Sequence, residues 1–345
     1  MDRYARQILL PQIGEAGQAR IRQATVLLIG VGALGCTIAD QLTRAGVGKL
    51  VLVDRDIVEK TNLQRQCLFD EVDAAQSRPK AYAAAMRLAA INRRVNLIHS
   101  ISDVTPDNIR DLLYVHTPTV IVDGTDNVET RYLINDASIQ ANIPWIYGAA
   151  TGVEGRVMPI IPGRTPCLRC VFPAPPGPGE LPTCDTAGVL NSASATVASL
   201  QAAEVIRLIV EGPANIAAEM ITIDLWNRRF RTIDFSDGRR PECVACVKHQ
   251  FHYLNSTASL TATLCGRNTV QVRLTNLAAE RGDELLEQLE SRLSAALVPV
   301  NRTPYLIRAR LDDKLELSVF ADGRVLVHGT NDPSKARSVV ARYLG

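Results

Sequence analysis

The chain lacks an excess of either charge. Over 345 residues, 38 Lys and Arg stand against 36 Asp and Glu, a formal net charge of +2. A broad basic face of the kind that holds a polyanion is therefore not expected, which counts against nucleic acid as a partner and requires any anion site to be local. The opening stretch, MDRYARQILLPQIGEAG, carries charges from its second residue and has no apolar core like that of an export signal. The longest apolar stretch, near residues 26–36, is too short to span a bilayer, so no membrane partner and a cytoplasmic setting are expected. Among the five histidines there is no H-E-x-x-H, and no Ser-His-Asp spacing appears. Without an export signal, the eight cysteines argue against a disulfide framework, and two C-x-x-C spacings point to metal or redox use.

Glycines and β-branched runs supply the organisation. Residues 25–31 (TVLLIGV) read as a buried strand ending in glycines, followed by a helix stopped at Gly46 and Gly48. A second strand is expected at 50–54, then an Ala-rich helix from about Ser77, with Ser77 as its cap and Pro79 in its first turn. Further strands at 119–123 and 143–147 flank a helical stretch, VETRYLINDASIQAN. This alternation predicts an α/β fold: a Rossmann-like, doubly wound, mostly parallel sheet. Residues 173–182 (PAPPGPGELP) break regular structure, a helix is expected near 194–210, and a hairpin closes the first domain at 1–248. From 250 to 345 the pattern becomes β-α-β-β-β-α, a small α+β domain of unknown role.

Gly30, Gly32 and Gly35 form a G-x-G-x-x-G between strand and helix, and Asp54 follows 19 residues after Gly35 at the end of the second strand. Such glycines let backbone approach phosphates, the helix start offers free N–H groups, and the acid accepts from ribose hydroxyls. The motif alone says nucleotide and leaves NAD or FAD open. Asn62, Arg65, Gln66, Lys80 and Arg6 then bring more cationic and polar donors than a dinucleotide requires, which favours a triphosphate. Asp126, in the run 123–127 (DGTDN) just past a strand, is a candidate Mg²⁺ ligand; the Asp126-Asn127 pair equally suits a helix cap.

Cys167 and Cys170 form one C-x-x-C and Cys243 and Cys246 another, with residues 171–242 between them. Four thiolates make a closed, structural zinc site, with His249 and His252 as substitute ligands or redox cysteines as the alternatives. Cys184 sits on the Pro/Gly loop, where a thiol is either a nucleophile or incidental. Cys36 reads as packing, and Cys67 and Cys265 carry no signal.

Taken together, RYARQI at 3–8, GVGALG at 30–35, LVDRDIVEKTNLQRQ at 52–66, Lys80, DGTDN at 123–127 and both C-x-x-C pairs occur in the order that resembles the ThiF/MoeB/HesA-type adenylyltransferases, relatives of ubiquitin-activating enzymes. The likeness covers residues 1–248. It implies ATP as the nucleotide, with Asp54 on the ribose, Asn62, Arg65 and Lys80 on the triphosphate, Asp126 on the Mg²⁺, Asn127 among the nucleotide-binding residues, and a weaker role for Asp56. It implies a homodimer in which Arg6 reaches the partner's phosphates, and a small ubiquitin-like sulfur carrier ending in Gly-Gly as the substrate. Cys184 matches the loop cysteine that takes part in thioester or persulfide chemistry in several members. No rhodanese-like domain follows, so sulfur would come from a separate donor or through Cys184. The readings that compete are activation of another carboxylate or of a modified tRNA base, a nicotinamide dehydrogenase, and a non-catalytic scaffold.

Overall fold

The computed structural model describes residues 3–176, 187–256, 261–264, 268–274, 282–321 and 323–344. The chain divides into two compact units, Met1–Thr257 and Ala258–Gly345.

In the first unit, β1 (Thr25–Ile29), β2 (Lys49–Val53), β3 (Asn96–Ser100), β4 (Val120–Asp123), β5 (Trp145–Thr151), β6 (Glu154–Ile160), β7 (Glu219–Asp224) and β8 (Arg229–Asp234) form one sheet in the order β3-β2-β1-β4-β5-β6-β7-β8. Pairing is parallel from β3 through β5 and antiparallel from there to β8. The central strands read as unbroken apolar runs because both sheet faces are covered. Val26, Leu28, Leu50, Leu52, Val120 and Val122 face one core, and Leu27, Ile29, Val51, Val53 and Ile121 face the other.

The helices of this unit are α1 (Ala5–Ile8), α2 (Gly14–Gln23), α3 (Ala33–Ala45), α4 (Glu71–Ala75), α5 (Lys80–Ile91), α6 (Ile109–His116), α7 (Val128–Ala141), α8 (Leu168–Val171) and α9 (Asn191–Glu211). Residues of α3, α5 and α9 belong to the first core, and residues of α6, α7 and α8 to the second. The chain thus leaves β1 toward one face and β4 toward the other, which opens a crevice at the carboxyl ends of these neighbouring strands. With 21 residues, α9 is long and apolar enough by length and composition to cross a membrane, yet 56% of its apolar window is buried, where it packs on α3, β5 and β6.

Ser77 is not the cap of the Ala-rich helix. It is buried with φ +49°, and α5 begins at Lys80 after Pro79, with no side-chain cap. A cap must stand immediately before the first helical residue, and Pro79 takes that place while bridging to Ile57.

The second unit is a separate sheet of β9 (Thr261–Leu264), β10 (Thr269–Arg273), β11 (Val300–Arg302), β12 (Leu306–Arg310), β13 (Glu316–Phe320) and β14 (Arg324–His328), in the order β11-β12-β13-β14-β10-β9. Its core joins Val270, Leu317, Val325 and Val327 to Leu286, Leu289 and Leu293 of α10 (Gly282–Ala295) and to Ala336 and Val340 of α11 (Pro333–Tyr343). Asp332 caps α11 by accepting from the Ser334 and Lys335 amides. The short edge strands β9 and β11 are absent from the sequence-based pattern, because three or four residues carry too little alternation to register.

Candidate functional site

Three glycines interlock where β1 and β4 part. Gly30 has φ +89°, and a Cβ there would lie 2.7 Å from the Gly124 carbonyl. A Cβ on Gly35 would lie 2.0 Å from the Gly30 oxygen, and one on Gly124 2.3 Å from the same atom. Only bare backbone fits this knot. Gly32 is different: a Cβ there would meet only Gln66 Nε2, at 3.8 Å, so its surface is open. Gly32 is also the N-cap of α3, and among the described residues no side chain caps the helix start. Free N–H groups at the positive end of a 13-residue helix face the crevice, a fitting cradle for phosphate. Gln66, only 4% exposed, leaves its Oε1 unpartnered among the described residues, so a buried acceptor is held beside that cradle.

Asp54 closes the cradle from β2. One carboxylate oxygen accepts from the Val31 amide at 2.6 Å and the other from the Asp56 amide at 2.7 Å. Burial pushes its carboxyl above the ordinary value, opposed by the Lys80 charge. Lys80 is 4% exposed and its Nζ lies 3.1 Å from Asp56 Oδ2, so a buried cation waits at the start of α5 with Asp56 as its counter-ion. Sequence reasoning misses Arg55, which donates to Asp103 at 2.8 Å and lies 3.8 Å from Asp56. Its place beside Asp54 is the one signal that could have found it. Asn62 is buried and accepts from the Glu59 amide, locking the single turn at 60–62; Arg65, half-buried, donates to the Thr61 carbonyl at 2.9 Å.

The end of β4 carries the opposite wall. Asp126 is exposed, and its carboxylate accepts no hydrogen bond among the described residues. Asn127 spends its side chain on the cap of α7, accepting from the Thr130 amide at 3.1 Å. The cap reading of this pair therefore holds for Asn127 and leaves Asp126 available. Arg131 and Gln201, unmarked in the sequence, reach back to this loop. Arg131 donates to Asp123, Thr125 and Gly148, and Gln201 donates from α9 to the Asp123 carbonyl at 2.7 Å.

On the second face, Cys167, Cys170, Cys243 and Cys246 are buried with all four sulfurs within 4.8 Å of one another. The Sγ separations are 3.9 Å for 167–170, 3.6 Å for 167–243 and 3.5 Å for 170–246. A tetrahedron with Zn–S bonds of about 2.3 Å has edges of about 3.8 Å, so the four thiols fit zinc with no position left open. His249 and His252 are exposed and stand outside this tetrad. Cys36 is fully buried, as packing requires; burial lifts its thiol well above the ordinary value.

Arg6 is exposed on α1, far from the cradle of its own chain. Gln7 beside it donates to the carbonyl of Ala45, the last residue of α3, and Tyr4 lies buried against Gly46. The cradle is at the other end of that helix, about 18 Å away at 1.5 Å per residue. Cys184 lies outside the described residues.

Residues 4–245 match the ThiF family. The chain is 39% identical over 344 residues to the sulfur carrier protein ThiS adenylyltransferase of Bacillus subtilis, covering 99% of each chain. It is 37% identical over 251 residues to a sulfur carrier protein adenylyltransferase of Thermus thermophilus, covering 71% of this chain and 90% of that one. Among solved structures, E. coli MccB shares the fold at a TM-score of 0.61 and 22% identity, over 71% of this chain and 74% of that one. A match spanning most of the chain, with a relative that runs its full length, places this chain in the ThiF family.

Proposed function

We propose that the chain adenylates the C-terminal Gly-Gly carboxylate of a small ubiquitin-like sulfur-carrier protein, using ATP and releasing pyrophosphate. The full-length likeness to an enzyme named for that reaction carries the reading, and a phosphate cradle ringed by Lys80, Arg65 and Asp126 supports it. A carboxylate oxygen of the tail attacks the α-phosphorus of ATP. The bond from that phosphorus to the bridging oxygen breaks, and the electron pair leaves with pyrophosphate. The N-terminal amides of α3 and the Gly32 backbone hold phosphate oxygens, while Asp54 orients the ribose. Lys80 exchanges Asp56 for phosphate, and Asn62, Arg65, Gln66 and Lys80 take up the charge that grows on the leaving group. Asp126 would hold Mg²⁺ together with phosphate oxygens, a donor set that suits this ion, and the bound ion would neutralise part of the triphosphate charge. Four buried thiols kept for metal fit a reducing, cytoplasmic setting.

The test is pyrophosphate exchange into ATP in the presence of small carriers ending in Gly-Gly. Exchange that disappears when the last glycine is removed is the expected result. Tight ATP binding with no exchange for any carrier would transfer the reading to another carboxylate, a modified tRNA base or a scaffold. In the Cys184→Ala variant, exchange should persist while a later sulfur-transfer step through that thiol fails; persistence of both steps would leave sulfur to a separate donor, and loss of exchange itself would place Cys184 in the first step.

The position of Arg6 at the far end of α3 supports a homodimer in which each chain lends this guanidinium to the other's site. Arg6→Ala and Lys80→Ala variants should each be inactive alone. Mixed so that subunits exchange, they should regain activity, since one site of each heterodimer then holds both residues. Verified heterodimers without activity, or an Arg6→Ala variant as active as the unmodified protein, would overturn the shared site.

A further inference from the structure

We infer that Arg131 is a positioning residue that, with Asp123, fixes the loop carrying Asp126 and thereby sets the affinity of the nucleotide-bound metal site. The inference rests on the proposed metal role of Asp126.

Arg131 lies one turn into α7, the helix that follows the loop, and folds back over the loop instead of reaching into the crevice. Its side chain is 12% exposed, and that of Asp123 is 0% exposed. Nε donates to Asp123 Oδ2 at 3.0 Å, and Nη2 donates to the carbonyls of Thr125 at 2.6 Å and Gly148 at 3.1 Å. The other Asp123 oxygen accepts from the Thr125 amide at 2.9 Å and its hydroxyl at 2.8 Å. The guanidinium also lies 5.5 Å from the centre of the Tyr147 ring. One planar fork thus joins the end of β4, the residue before Asp126, and a carbonyl of β5 where the chain passes the crevice.

A buried ion pair is a weak source of stability, because desolvation offsets most of the attraction; its best use is to specify one arrangement. Burial works against the Arg131 cation, and Asp123, Tyr147 and Asp126 more than offset it, so the guanidinium stays charged. Every donor that Arg131 commits is spent on the end of β4, the loop that follows it and the middle of β5. The adjoining carboxylate of Asp126 spends none of its lone pairs within the described residues. The loop is held rigid up to the residue that is left available, the arrangement expected when a support shell aims a ligand. Lysine keeps the charge but lacks the planar fork, so it cannot meet Asp123, Thr125 and Gly148 together.

The experiment is a double-mutant cycle between Arg131→Lys and Asp126→Asn in the full chain. The reading is Mn²⁺ affinity by electron paramagnetic resonance in the presence of a non-hydrolysable α,β-methylene ATP analogue, with thermal unfolding recorded alongside. Arg131→Lys is expected to weaken Mn²⁺ binding about tenfold and to leave nucleotide affinity without metal unchanged. In the Asp126→Asn background, the same change should have no further effect on Mn²⁺. Arg131→Gln, which loses the charge as well, should weaken Mn²⁺ binding more than Arg131→Lys. An equal loss in both backgrounds, or a folded Arg131→Lys variant with unchanged Mn²⁺ affinity, would overturn the inference. If Asp126→Asn by itself leaves Mn²⁺ affinity unchanged, the metal role of Asp126 falls and the inference with it. Carrier-dependent pyrophosphate exchange by the unmodified protein reports on the adenylation reading independently of all these outcomes.

Discussion

Asp126→Ala is expected to lower carrier-dependent pyrophosphate exchange by about 10²–10³-fold, the scale on which single groups that stabilise charge in a transition state act. The folded protein should be unchanged. Asp126 is exposed and outside both cores, and no hydrogen bond among the described residues ends on it, so truncation leaves no buried partner stranded. Asn127 keeps its cap on α7, and Arg131 keeps Asp123, Thr125 and Gly148. Thermal unfolding should therefore move by less than about 0.5 kcal/mol in equivalent stability, as for an ordinary surface substitution. Raising Mg²⁺ should restore part of the rate if the lost group is a metal ligand, since mass action offsets weaker affinity. A variant that exchanges pyrophosphate at the unmodified rate would remove Asp126 from the proposed chemistry.

The contrast between Asp126 and its neighbours shows which parts of the site can be read in sequence. The cradle is legible because its requirements are local: Gly30 and Gly35 belong to one turn, and the glycine spacing is the steric condition itself. Gly124 completes the knot from 89 residues further along the chain, and only the structure reveals that its missing Cβ is needed. The Arg131 network is illegible for the same reason. Its acceptors lie on β4, the following loop and β5, and Gln201 enters from 78 residues away. In the sequence, Arg131 is simply one more basic residue in a helix.

The fold divides in a similar way. Buried parallel strands announce themselves as apolar runs, and helices by their glycine stops. The sequence misplaces the cap of α5 at Ser77 because capping depends on the first helical residue itself, and Pro79 moves that residue to Lys80. The two edge strands of the second unit leave no trace in the pattern because β11 has three residues and β9 four, too few for a period of two to show. The apolar stretch of α9 is likewise less conspicuous than its 21 helical residues make it, because Ser and Thr punctuate its first half.

The second large effect concerns the four cysteines. Cys243→Ser should release zinc and lower the midpoint of thermal unfolding by about 10–20 °C, from a loss of roughly 5 kcal/mol spread over a unit of this size. The sulfurs join two distant stretches: Cys167 and Cys170 around α8, and Cys243 and Cys246 beyond the β7–β8 hairpin. Besides the thiols, the second stretch is held by the buried Ala245 and by Arg239, which donates to the carbonyls of Gly163 at 3.3 Å and Cys246 at 2.9 Å. Residues 235–250 form turns and no strand or helix, so a metal on the four thiols would stand in for the ladder hydrogen bonds that secondary structure supplies elsewhere. Residues 251–255 depend on the same anchor. The Tyr253 amide donates to Asp136 of α7 at 3.0 Å, Arg169 between the first two cysteines lies 5.5 Å from the Tyr253 ring, and Arg110 donates to Asn255 at 2.8 Å. Losing one ligand should therefore free residues 243–255 together, and hydrogen exchange should rise there before it rises in β1, β2 or β4. ATP binding should survive at low temperature, because the cradle is built from β1, β2 and α3, while the cysteines stand around α8 and beyond the β7–β8 hairpin. As a control, Cys67→Ser, an exposed cysteine outside the tetrad, should alter neither zinc content nor unfolding. A zinc-free Cys243→Ser protein with an unchanged midpoint would show that the tetrad is not a structural metal site, and would return the two C-x-x-C pairs to redox chemistry.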